Sequence, residues 1–122
     1  MTGVLVDACG WAALMDSGLN IDTAMRDVIG SPELMLLDGV LDELVELSSK
    51  KKGLLLPLLE SRSTMVGNPA GMSHTDDMLL KMSIENGWPV LTIDIRLKER
   101  LVMSGCSYIE VVSGRMLRLI GP

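Results

Sequence analysis

Short, uninterrupted apolar runs alternate along this chain with longer stretches whose apolar residues recur every three or four positions. The first pattern reads as buried strand and the second as amphipathic helix. Val4-Leu5-Val6 predicts a strand, helices follow over Trp11–Asp16 and Ile21–Ile29, and Leu34–Leu37 predicts a second strand. Asp38 then stands as N-cap of a helix from Gly39 to about Lys51, with Lys50, Lys51 and Lys52 at the dipole-favoured end. Leu54–Met65 predicts a helix carrying Pro57 in its first turn, where the missing N–H costs little. After the loop-forming Gly67-Asn68-Pro69-Ala70-Gly71, the segment Ser73-His74-Thr75-Asp76 has the form of a capping box. It opens a helix through about Asn86, stopped by Gly87 and Pro89. Val90–Ile93 predicts a strand, Arg96–Met103 a helix, Tyr108–Val112 a strand, and Ser113-Gly114 a turn into Met116–Ile120. Strands with continuous apolar character, alternating with helices, predict an α/β fold: a three-layer sandwich around a mainly parallel central sheet. No repeat or linker divides the pattern, so one domain over residues 1–122 is expected.

Composition changes this picture only in detail. The three aromatic residues, Trp11, Trp88 and Tyr108, leave the core to aliphatic side chains and ten methionines, which pack adaptably. Cys9 and Cys106 lack C-x-x-C spacing, and no leader pattern or membrane-length apolar run occurs. A reduced, cytoplasmic setting without a membrane is the expectation. Net charge is −5, which argues against a polyanionic partner until its distribution is considered. Residues 1–94 hold 14 acids and 6 bases, a balance of −8, whereas residues 95–122 hold 2 acids and 5 bases, a balance of +3. Arg96, Lys98, Arg100, Arg115 and Arg118 thus form a basic C-terminal segment compatible with nucleic acid.

Candidate chemistry resides in carboxylates. In an open parallel sheet, ligands collect beyond the carboxyl ends of the strands, which is where Asp7 and Asp94 follow Val4–Val6 and Val90–Ile93. Each could equally cap the next helix. On the helix from Gly39, Val40, Leu41, Leu44, Val45 and Leu47 define one apolar face; Glu43 lies at its edge, and Asp42 and Glu46 lie opposite. Asp76 and Asp77 begin another helix, where acids favour the dipole, and adjacent side chains diverge by about 100°. Asp76 is therefore assigned the inner position, with Asp77 beside it, acting through water. Such a cluster suits a hard divalent ion with oxygen ligands, able to activate water and neutralise a phosphoryl group. His74 has no Cys or His companions for a zinc site and reads as a loop or capping residue. Relief of like-charge repulsion predicts that Asp7→Asn or Asp94→Asn leaves the fold intact or slightly more stable.

The segments Val4-Leu5-Val6-Asp7, Leu41-Asp42-Glu43-Leu44, Asp76-Asp77-Met78-Leu79-Leu80 and Trp88-Pro89-Val90-Leu91-Thr92-Ile93-Asp94 together resemble those of PIN-domain ribonucleases. The spacing from Asp76 to Asp94 is similar to that of VapC-type toxins and of PIN proteins of small-subunit rRNA processing. Asp94–Leu101 and Tyr108–Ile120 look closer to the latter. The resemblance implies a sheet with helices on both sides, Mg²⁺ or Mn²⁺ dependence, endonucleolytic cleavage of RNA and frequent dimers. It implies metal binding by Asp7, Glu43, Asp76 and Asp94, with Asp77 nearby. Substrate contacts are expected from Thr92, Arg96, Lys98 and Arg100. An antitoxin or a ribosome-assembly protein is the implied partner. Where the family commonly has Thr or Ser and then Asn after the first acid, this chain has Ala8 and Cys9. A second reading, a PIN-like module that binds RNA or protein without cutting, draws on that departure. A phosphoacceptor receiver would carry its acid pair early, and no G-x-G-x-x-G follows the first strand to hold a dinucleotide.

Overall fold

Strand β1 (Gly3–Val6) is buried at every position and β2 (Glu33–Leu37) at four of five, a pattern that only strands covered on both faces show. The computed structural model describes residues 2–112 and 116–122; Met1 and the turn expected at Ser113-Gly114 lie outside them. The remaining strands are β3 (Ser63–Val66), β4 (Val90–Leu91), β5 (Tyr108–Val112) and β6 (Met116–Ile120). Their order across the sheet is β3-β2-β1-β4-β5-β6, with β1 to β5 parallel and β6 antiparallel to β5. The helices among the described residues are α1 (Ala8–Ser17), α2 (Ile21–Ile29), α3 (Asp38–Ser48), α4 (Leu56–Arg62), α5 (Thr75–Asn86) and α6 (Ile95–Met103). The expected α/β sandwich with a mainly parallel sheet is the architecture found.

Local chemistry sets most boundaries. Asp7, Asn20 and Asp94 cap α1, α2 and α6 by accepting backbone N–H groups, and Gly18 and Gly87 end α1 and α5 in the left-handed conformation. Several expectations need correction. The helix expected over Leu54–Met65 is only α4, because Leu55 turns left-handed before it and Ser63–Val66 leaves as an edge strand paired with β2. Asp38 is the first residue of α3 and not its cap, and the helix stops at Ser48, so Lys50, Lys51 and Lys52 lie beyond it. The capping box does not form: His74 occupies the N-cap without a side-chain bond. Of the apolar face expected on α3, Val45 is 55% exposed, while Val40 and Leu44 are buried.

The core is continuous from β2 through β1 and β4 to β5, filled by Leu5, Leu36, Leu37, Leu91 and Ile109 and by Trp11, Leu14, Leu44, Leu79 and Leu97 from the helices. Trp11 satisfies its indole N–H on the Leu54 carbonyl at 2.7 Å, which lets so large a side chain be fully buried. No helix among the described residues is long and apolar enough to cross a membrane.

Candidate active site

The chain runs outward from β1 to β2 and β3 on one side and to β4, β5 and β6 on the other, so the strand order reverses between β1 and β4. Such a reversal leaves a crevice at the carboxyl ends of the two strands. Asp7 follows β1 directly, and Asp94 follows β4 by three residues. The two strands are in register, Leu5 opposite Val90 and Val6 opposite Leu91, and the Asp7 N–H bonds the Leu91 carbonyl at 3.0 Å. Both acids therefore arrive at one point of the sheet edge.

Thr92 joins them. Its hydroxyl donates to Asp7 Oδ2 at 2.7 Å and accepts the Asp94 N–H at 3.1 Å. Asp7 Oδ1 accepts the Ala8 N–H at 2.9 Å, and Asp94 Oδ1 accepts from Arg96 and Leu97 at 2.9 and 3.1 Å. Capping and clustering, the two roles open to these acids, are thus compatible: each carboxylate uses one oxygen on its helix. Thr92 is fully buried, which excludes it from direct substrate contact and makes it the link between the two acids. Asp7 is 6% exposed. Asp7→Asn is a test of the fold as well as of the site, because an amide has one oxygen for the two donors, Ala8 N–H and the Thr92 hydroxyl, that the carboxylate accepts on separate oxygens.

Glu43 and Asp76 come from α3 and α5, whose first turns meet: a Cβ added at Gly39 would lie 3.1 Å from the Thr75 methyl. Asn68 fastens the same corner by accepting the Gly39 N–H at 2.9 Å, so the Gly/Pro loop is a brace for α3. Burial raises the Asp76 carboxyl above its usual range, the charges of Asp7 and Asp94 add to this, and Arg100 opposes it. Burial likewise raises Glu43, the Thr75 hydroxyl opposes, and Asp7 and Asp76 add to the rise. Glu43 thus lies within reach of the Asp7 and Asp76 charges, and Asp76 within reach of Asp7 and Asp94, with Asp7 buried, Asp76 and Asp94 half-buried and Glu43 at the exposed rim. Among the described residues, no three Asp, Glu, His or Cys groups are already drawn into an ion cage.

The neighbouring cations divide unequally. Asp77 is held in an ion pair with Arg100 at 2.7 Å, exposed on both sides and so readily exchanged. Lys98, one of the expected substrate contacts, is held by Glu110 on β5 at 2.6 Å, and Arg118 reaches the same carboxylate. Those two cations hold the buried Glu110 carboxyl below its usual range. Arg96 remains exposed beside Asp94, with no ion-pair partner among the described residues. His74 is exposed next to Thr75.

Sequence reasoning missed three participants. Cys9 Sγ lies 3.2 Å from Asp7 Oδ2 and 3.4 Å from Thr92 Oγ1, and burial followed by the Asp7 charge raises its thiol above the usual range. Its place two residues after the first acid was the available signal. Thr75 and Asn68 had only their helix-start and loop composition to mark them.

This geometry has a counterpart among solved structures. The PIN domain endonuclease Utp24 superposes on 98% of this chain and 92% of its own, with a TM-score of 0.79 and 16% sequence identity. The chain has the PIN-domain fold. No family model matches its sequence, and no curated protein matches it. The PIN likeness therefore carries the architecture, and the chemistry has to be argued from the side chains themselves.

Proposed function

We propose that this chain is a metal-dependent endoribonuclease whose centre comprises Asp7, Glu43, Asp76 and Asp94. The observation that carries the reading is the Asp7–Thr92–Asp94 connection across the reversal point of the sheet, faced by two further acids whose ionisation it opposes. The donor set fits a hard cation, being all oxygen, carboxylate-rich and electrostatically strained until a positive charge arrives. Asp7, Glu43, Asp76 and Asp94 would hold Mg²⁺ or Mn²⁺ directly, and Asp77 through water after release from Arg100. When bound, such an ion supplies charge neutralisation at a phosphoryl oxygen and lowers the pKa of a water.

The chain's own contribution is orientation. Thr92 fixes the spacing of Asp7 and Asp94, and the α5 N-terminus favours the negative charge of Asp76. Arg96, and Arg100 once it leaves Asp77, supply contacts to the RNA backbone. The likeness to an endonuclease supports internal cleavage, and the Asp94–Leu101 run favours an rRNA-processing role over a toxin paired with an antitoxin. A homodimer is expected, with exposed Ile95, Val102 and Met103 on α6 as its candidate patch.

The test is Mn²⁺-dependent cleavage of single-stranded and structured RNA by the full chain and by Asp94→Asn. Removal of a direct ligand should reduce cleavage by more than the roughly 10- to 100-fold typical of groups that only orient ligands. An unaltered chain that binds RNA but never cuts it with Mn²⁺ would instead support the non-cutting module. Equal cutting by Asp94→Asn would reject the site.

A further inference from the structure

Resting on the acid-centre reading above, we infer that Cys9 is a positioning residue for Asp7, its thiol proton completing the set of donors that decides which carboxylate oxygen stays open. An ionised carboxylate offers about four acceptor positions. Among the described residues, Ala8 N–H occupies one on Oδ1, while Thr92 at 2.7 Å and Cys9 at 3.2 Å occupy two on Oδ2. The position left over belongs to Oδ1, so that oxygen alone remains to meet a cation.

The direction of the thiol bond follows from proton counting. Thr92 has one hydroxyl proton, and the ionised Asp7 can only accept, so the 2.7 Å contact consumes that proton. Thr92 also accepts the Asp94 N–H. It therefore has nothing to donate at its 3.4 Å contact with Cys9, and the thiol must be the donor there as well as toward Asp7 Oδ2. One S–H thus lies between the two atoms that tie Asp7 to Asp94. In this chain residue 8 contributes its backbone N–H to Asp7, which any residue there supplies, and residue 9 contributes its thiol proton.

A packing role makes different predictions from a positioning role, because Val nearly matches Cys in shape without a proton to give, whereas Ser keeps the proton on a shorter arm. The full chain, Cys9→Val, Cys9→Ala and Cys9→Ser are titrated with Mn²⁺ alone, free ion being read by electron paramagnetic resonance. We expect Val and Ala to weaken Mn²⁺ binding about tenfold and Ser to remain within about twofold of the unaltered chain, the low end of the range for groups that orient a ligand. Urea unfolding without metal supplies a second readout: Cys9→Ala and Asp7→Asn should be non-additive if the two groups are in contact. Unchanged Mn²⁺ binding in Cys9→Val, equal weakening in Ser and Ala, or additive unfolding effects would each overturn the assignment. An unaltered chain that binds no Mn²⁺ would defeat the proposed function instead, and the metal-free additivity would still decide whether Cys9 holds Asp7.

Discussion

Gly10 is where the fold and the candidate site depend on the same missing atom. A Cβ placed there would lie 2.2 Å from the Leu91 carbonyl oxygen, 2.6 Å from its carbon and 2.8 Å from the Thr92 nitrogen, all of them backbone. Since apolar contacts settle near 3.5 Å, the first turn of α1 has to retreat from β4 by roughly 1 Å. That movement stretches the 3.0 Å bond from Asp7 N–H to Leu91 and the 2.7 Å bond from Thr92 to Asp7 beyond useful geometry. Gly10→Ala therefore either stores overpacking strain of about 1–3 kcal/mol or relaxes by giving up bonds of similar total worth. Ala is the better helix former by about 0.8–1.0 kcal/mol, which offsets part of the loss. The net expectation is destabilisation of about 1 kcal/mol, seen as a fall in Tm of roughly 4 °C for a chain of this size. Urea unfolding measures the first effect. Mn²⁺-dependent RNA cleavage at 20 °C, where the variant remains folded, measures the second, with a loss of about 100-fold from a 1 Å displacement of Asp7. If Gly10→Ala were as stable as the unaltered chain, helix propensity would have outweighed the clash and the close approach of α1 to β4 would be refuted.

Two further outcomes are expected. Thr92→Val keeps the shape but removes the link between Asp7 and Asp94 and strands the Asp94 N–H; it should cost about 1.5–3 kcal/mol in urea unfolding, while Thr92→Ser should cost little. An equal loss in both variants would assign Thr92 to packing alone. The metal-free chain should also lose stability as pH rises from the ordinary carboxylate range through the raised values of Glu43 and Asp76, because the native state retains protons that the unfolded chain releases. Glu110 acts with the opposite sign: its stabilisation is present above the ordinary carboxylate value and is lost as pH falls through its depressed one. Thermal unfolding of the unaltered chain and of Asp76→Asn across this window separates the contributions, and the variant should show the shallower decline. Identical slopes would show that neither burial nor its neighbours raise the Asp76 carboxyl.

How much of this was legible in the residues depends on the range of the interaction that decides each feature. Periodicity found β1, β2 and β5, α2 and most of α5 and α6, because a buried face constrains its own sequence. The edge strand β3 escaped because its partner exposes it: Thr64 and Met65 lie outside the core, so no apolar run marks it, and its pairing with Leu34–Leu37 is invisible along the chain. The pairing of Lys98 was hidden for a similar reason. A lysine one turn beyond a catalytic-looking acid resembles a substrate contact until β5 brings Glu110 beneath it. The acids themselves were readable as strand-end and helix-start residues, yet what makes them a centre is tertiary. Strands β1 and β4 are separated by more than eighty residues, and their adjacency lets one threonine proton and one thiol proton converge on Asp7. The polar pattern thus marks the acids, while the small donors beside them, buried Thr92 and half-buried Cys9, look in sequence like ordinary core residues.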